Sequence, residues 1–72
     1  MYTQLSEIPL DKKQHLIDEW IFSERNRKIL KRKLLDGITH ERVAEEFDMS
    51  TRRIKDIVKD GKAVILEKSN NT

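Results

Sequence analysis

Seventy-two residues, 39% of them charged and 36% apolar, suffice for one small domain with a modest core and exclude a multidomain protein. The net charge of +2 is too small to name a partner by itself, and the lack of cysteine excludes disulfides and thiolate metal sites. No apolar run reaches the length of a membrane span or a signal-peptide core, so a soluble, cytoplasmic protein is the expectation.

In chain order, Met1 to Pro9 shows no clear period, and Pro9 stops any helix from running through it. Asp11 is a cap candidate for a helix over about 12–21, with Leu16, Ile17, Trp20 and Ile21 on one face. Ser23 is the next cap candidate, and Phe22 stands where a hydrophobic staple would pack. The helix that follows runs over about 24–35 with Ile29, Leu30 and Leu34 inward, and Asp36-Gly37 ends it. Thr39 caps a third helix, His40 to Phe47, that buries Val43, Ala44 and Phe47. Ser50 caps a fourth, from Thr51 to Asp60 and onward toward Glu67, with Ile54, Ile57, Val58, Val64 and Ile65 inward. Gly61 is its weak point, where a bend or stop is expected.

The sum is an all-α, four-helix domain. An N-terminal covering helix at about 11–21 packs on a three-helix core at about 22–67, and a frayed tail follows at 68–72. Trp20 is expected in the core rather than as a base-stacking platform.

Charge is unevenly distributed. Residues 1–22 carry a net −2 and residues 23–72 a net +4, with six basic residues and no acid between Arg25 and Lys33. On the second helix Arg25, Lys28 and Arg32 share a side, with Arg27 and Lys31 beside them. Such a stripe suits DNA flanks, an acidic protein surface or plain solvent.

The stretch Val43 to Ile57, "VAEEFDMSTRRIKDI", meets the requirements of a helix-turn-helix. Ala44 is small enough for a close helix crossing. Val43, Phe47, Met49, Ile54 and Ile57 stand at the inward positions. Asp48 occupies the turn position that needs a left-handed backbone, which Asp accepts at some cost. At about 100° per residue the side of the second helix opposite its apolar face holds Arg52, Lys55, Asp56 and Lys59, with Thr51 and Arg53 near the helix start. The start of such a helix enters the major groove, where Arg and Lys donate to guanine or phosphate and Asp56 can accept from cytosine N4. Thr39, Arg42 and Ser50 are placed to touch phosphates at the groove edges.

From Phe22 to Val58 the chain resembles region 4 of the sigma-70 family of bacterial transcription initiation factors. The resemblance rests on Ser23-Glu24-Arg25, on Asp36-Gly37-Ile38-Thr39, on Glu45-Glu46-Phe47 and on Ser50 through Ile57. It covers about half the chain, and Asp48 stands where the family usually has Gly. In that family the module reads the upstream promoter element in the major groove. The resemblance therefore implies base reading by Thr51, Arg52, Lys55, Asp56 and Lys59, with Arg53 nearby, and backbone contact by Thr39 and Arg42. The chain has no room for the family's DNA-melting or clamp-binding domains, which implies a free-standing regulator of bacterial or phage origin.

Other chemistry finds little support. His15 and His40 are the only histidines and stand on separate helices, with His40 expected at the surface; no HExxH spacing and no Gly-rich phosphate loop are present. A non-enzymatic protein without cofactor or metal is expected. Its partner is duplex DNA, with a homodimer possible through Val64, Ile65 and Leu66. The competing expectation is a protein-interaction module that binds RNA polymerase or another bacterial or phage protein through an exposed Trp20 or through Val64 to Leu66.

Overall fold

The computed structural model describes residues 7–70, and these form four helices: α1 (Leu10–Trp20), α2 (Glu24–Leu34), α3 (His40–Phe47) and α4 (Thr51–Asn70). The domain is all-α, as its periodicities predict. No strand occurs among the described residues.

α1 begins two residues earlier than expected, and Asp11 is not its cap. Pro9 holds the cap position with φ −59° and ψ 152°, and its carbonyl accepts the first helical bond from Lys13 N at 2.9 Å. Proline is suited to this place because its fixed φ and missing N–H cost nothing at a helix start. Asp11 lies inside the first turn, where its negative charge suits the helix dipole. Leu16 and Ile17 are buried, together with Ile8 just upstream, which no periodicity marked.

α2 opens as expected, with Ser23 Oγ accepting from Asn26 N at 3.3 Å. The staple is absent: Phe22 is 82% exposed. The position one turn on is Arg27, not an apolar residue, and its guanidinium donates instead to the Ile21 and Phe22 carbonyls at 2.9 and 3.2 Å. Ile29 and Leu30 point into the core. Gly37 ends the helix at φ +71°, and Ile38 N donates back to the Arg32 carbonyl at 3.2 Å.

α3 is capped by Thr39, whose Oγ1 accepts from Arg42 N at 3.2 Å. It stops where Asp48 turns left-handed at φ 53° and ψ 48°, which lets Met49 N reach the Ala44 carbonyl at 2.9 Å. An L side chain in this region costs about 1 to 2 kcal/mol, less for Asp than for most. Asp48→Gly is therefore expected to raise stability by up to about 1 kcal/mol, read as a higher urea midpoint. A lower midpoint would mean that the Asp48 side chain contributes something its backbone geometry does not show.

Ser50 caps α4 by accepting from Arg53 N at 3.2 Å. The 20-residue helix then runs unbroken to Asn70, past the expected stop. Gly61 is neither a bend nor an end. It is buried, and a Cβ built on it would stand 2.5 Å from both Leu30 methyl carbons. The notch lets α2 and α4 approach closely, and tertiary contact overrides the poor helix propensity. The expected frayed tail is helical as far as it is described: Ser69 is buried and Asn70 Nδ2 donates to the Leu66 carbonyl at 2.9 Å. Asn71 and Thr72 lie outside the described residues.

α4 is the spine of the domain, with α1, α2 and α3 all packed on it. Ile17, Ile29, Leu30, Val43, Ile54, Val58 and Ile65 are essentially fully buried around it. Trp20 is not a core residue. It is 37% exposed at the edge of α1, and Lys68 Nζ lies 4.2 Å from its ring centroid. The long α4 carries Lys68 back over the indole, so a cation lies on the face of the ring.

Candidate nucleic-acid interface

Two surfaces carry the basic residues, and the structure treats them differently. On α2 most cations are already occupied. Lys28 pairs with Glu24 at 3.5 Å and Lys31 with Asp18 of α1 at 2.6 Å. Arg32 bridges Asp36 at 2.9 Å and Glu46 of α3, its Nε donating to Glu46 Oε2 at 3.0 Å. Arg27 is bound to the carbonyls that precede its helix. Within the stripe between Arg25 and Lys33, Lys31 thus fastens α2 to α1 and Arg32 fastens it to α3.

Arg32 holds the Glu46 carboxyl below its ordinary value, chiefly by hydrogen bonding to the charged form, and the same bonds raise Arg32 further above its already high value. The sign of the linkage follows. Glu46 contributes stability that is present above its unfolded-state value and is lost as pH falls through its lowered folded value. Glu46→Gln is expected to unfold at lower urea concentration than the parent at about pH 7, and the two midpoints are expected to lie closer together at about pH 3 than at about pH 7. Curves separated equally at both pH values would contradict this role.

The surface made by the start of α3 and the outer side of α4 is different. Arg42, Arg52, Lys55 and Lys59 are exposed, and none has a carboxylate partner among the described residues. Around α4 the buried Ile54, Ile57, Val58, Gly61 and Ile65 set the inner side. Arg52, Asp56 and Lys59 point the opposite way. Asp56 is exposed and has no cationic partner among the described residues, so its acceptors are open. Thr51 is half-buried, and Thr39 and Ser50 use their side-chain oxygens as caps while staying exposed.

Arg53 falls on the other flank of α4. It lines a hollow of about 140 Å³ with Ile21, Asn26, Leu30 and Asp60, away from Lys55 and Lys59. In the same hollow Asn26 Oδ1 is buried with no hydrogen-bond partner among the described residues.

Two residues outside the expected set join the basic surface. Lys62 lies one turn beyond Lys59, and its signal was the spacing 55, 59, 62 on a helix that continues through Gly61. His40 is half-buried rather than exposed. With Lys55, Val58, Lys59, Lys62, Ala63 and Leu66 it lines an open depression of about 440 Å³ between α3 and α4. Burial first, and then the charges of Lys33, Lys55 and Lys62, hold the His40 imidazole below its ordinary value; Glu41 alone acts the other way.

The expected dimer seam is largely spent inside the fold. Ile65 is fully buried, while Val64 and Leu66 are half-buried against the core. Among the described residues no helix is long and apolar enough to cross a membrane. A scan against protein-family models and searches of curated proteins and of solved structures returned no match.

Proposed function

We propose that the chain binds duplex DNA, with α3 and α4 acting as a helix-turn-helix, and that it is a transcription regulator of bacterial or phage origin acting in the bacterial cytoplasm. In this reading α4 enters the major groove by its first turns. Arg52, Lys55 and Lys59 donate to base edges or phosphates, Thr51 lies beside them, and Asp56 selects for cytosine by accepting from N4. Thr39, Arg42 and Ser50 meet the backbone at the groove edges, while Arg53 stands at the flank of the contact. The resemblance to sigma-70 region 4 agrees with the same assignment.

One observation carries the proposal. On α2, Lys28, Lys31 and Arg32 are matched by acids of this chain, whereas Arg52, Lys55, Lys59 and Lys62 of α4 have no carboxylate partner among the described residues. Unpaired cations in a row suit a regularly spaced polyanion. Fluorescence anisotropy on a mixed-sequence duplex tests it. With four or five of these cations on phosphates, the logarithm of the binding constant is expected to fall against log salt with a slope of about −3 to −5. No binding, or binding insensitive to salt, would overturn the proposal.

A second reading, a module that docks on RNA polymerase or another protein, is favoured by one feature: Phe22, 82% exposed at the α1–α2 junction. An apolar side chain so open to water suits a protein partner better than a phosphate backbone.

A further inference from the structure

The depression between α3 and α4 has an apolar floor of Val58, Ala63 and Leu66 and a rim of His40, Lys55, Lys59 and Lys62. Lys33 of α2 is close enough to act on His40 as well, and the one acid that acts on it is Glu41, its neighbour in α3. Among the described residues none of these lysines is paired with a carboxylate. Burial first, and then the charges of Lys33, Lys55 and Lys62, oppose protonation of the imidazole, and an anion seated among these lysines would act the other way. Lys55 and Lys59 belong both to this rim and to the outer side of α4, so the depression adjoins the surface assigned to DNA. Lys62 carries the basic row one turn farther along α4 than a groove-reading helix start requires.

We propose that His40, Lys55, Lys59 and Lys62 seat a backbone phosphate of the bound duplex, and that His40 takes up one proton as the phosphate docks, so that DNA affinity rises as pH falls. The inference rests on the DNA-binding reading above. The phosphate oxygens accept from the lysine ammonium groups and from the protonated imidazole. The proton comes from solvent and stays on the ring while the duplex is bound. Burial and the neighbouring lysines favour the neutral ring in the free protein, and a docked phosphate favours the protonated one.

The test has two readouts on the full chain. The first is the NMR titration of the His40 ring in the free protein, with inorganic phosphate and with the duplex, using His15 on α1 as internal reference. The duplex is expected to raise the His40 midpoint and leave that of His15 in place. The second is anisotropy at about pH 7.5 and about pH 5.5 for the parent and for His40→Gln. The parent is expected to bind several-fold more tightly at the lower pH, up to about tenfold per unit of midpoint shift, and His40→Gln to show little change. A duplex that binds without moving the His40 midpoint, or with equal pH dependence in both proteins, overturns this inference and leaves the DNA-binding proposal standing. Failure of the duplex to bind at either pH overturns the DNA-binding proposal itself. Inorganic phosphate moving His40 as far as the duplex does would mark a free-anion site and overturn the backbone assignment.

Discussion

Gly61→Val is expected to cost about 3 kcal/mol or more, a large share of the roughly 5 to 15 kcal/mol that holds a small domain folded. The reason is geometric. Even a single Cβ on Gly61 would lie 2.5 Å from both Leu30 methyl carbons and 3.0 Å from Leu30 Cγ. Leu30 is 1% exposed, so its side chain has no open space into which to turn. Gly61→Ala separates two opposed effects. Helix propensity favours it by about 1 kcal/mol, and overpacking opposes it by about 1 to 3 kcal/mol, so a net loss of about 1 kcal/mol is expected. Urea midpoints of both variants check this. A double-mutant cycle with Leu30→Ala isolates the contact: truncating Leu30 is expected to cost less in the Gly61→Val background than in the parent. A Gly61→Ala midpoint raised by the full propensity gain would show that α2 and α4 can part at no cost.

Arg52→Ala with Lys55→Ala is expected to weaken duplex binding by at least about tenfold, since each contact of this kind is worth about 1 to 3 kcal/mol. Stability is expected to stay within about 0.5 kcal/mol of the parent, because both residues are exposed and have no partner among the described residues to lose. The informative control removes the same charge elsewhere. Lys28→Ala with Lys31→Ala takes two cations from α2, where Glu24 and Asp18 already neutralise them. That pair is expected to change affinity by no more than about threefold. Equal losses in the two double variants would mean that net charge, rather than the α3–α4 surface, governs binding. Asp56→Ala adds a finer question, because loss of the acceptor is expected to relax any preference for cytosine while reducing repulsion from the backbone.

Local signals were legible in the sequence, and distant ones were not. Ser23, Thr39 and Ser50 each accept from the amide three residues on, an interaction contained in four residues of sequence, and all three caps form. Gly37 and Asp48 take the left-handed backbone that their positions demand. Helical periodicity likewise predicted the inward faces of α2, α3 and α4. Gly61 departs from the expected bend or stop because propensity is a property of one residue, while its role depends on Leu30 in another helix. Trp20 departs from the expected core position because periodicity gives a direction but not what lies there, and Lys68 reaches it only because α4 continues to Asn70. Phe22 lacks a staple because the residue it would meet is Arg27. The pairing of Lys31 with Asp18 and of Arg32 with Glu46 depends on how the helices pack, so the basic stripe of α2 looked as available as that of α4. Of the candidate site, the outward row of α4 was visible; the depression at His40 and the contribution of Lys62 follow only from the unbroken helix.

The most direct test of the account is amide chemical-shift mapping of the protein against a duplex of about 20 base pairs, long enough to span a major-groove site and its flanks. The account predicts perturbations concentrated at Thr39 to Arg42 and from Ser50 to Lys62, with α1 and the Glu24–Lys31 side of α2 unchanged. Perturbations centred on Trp20, Phe22 and Arg25, or none at all, would contradict the assignment of the α3–α4 surface to DNA.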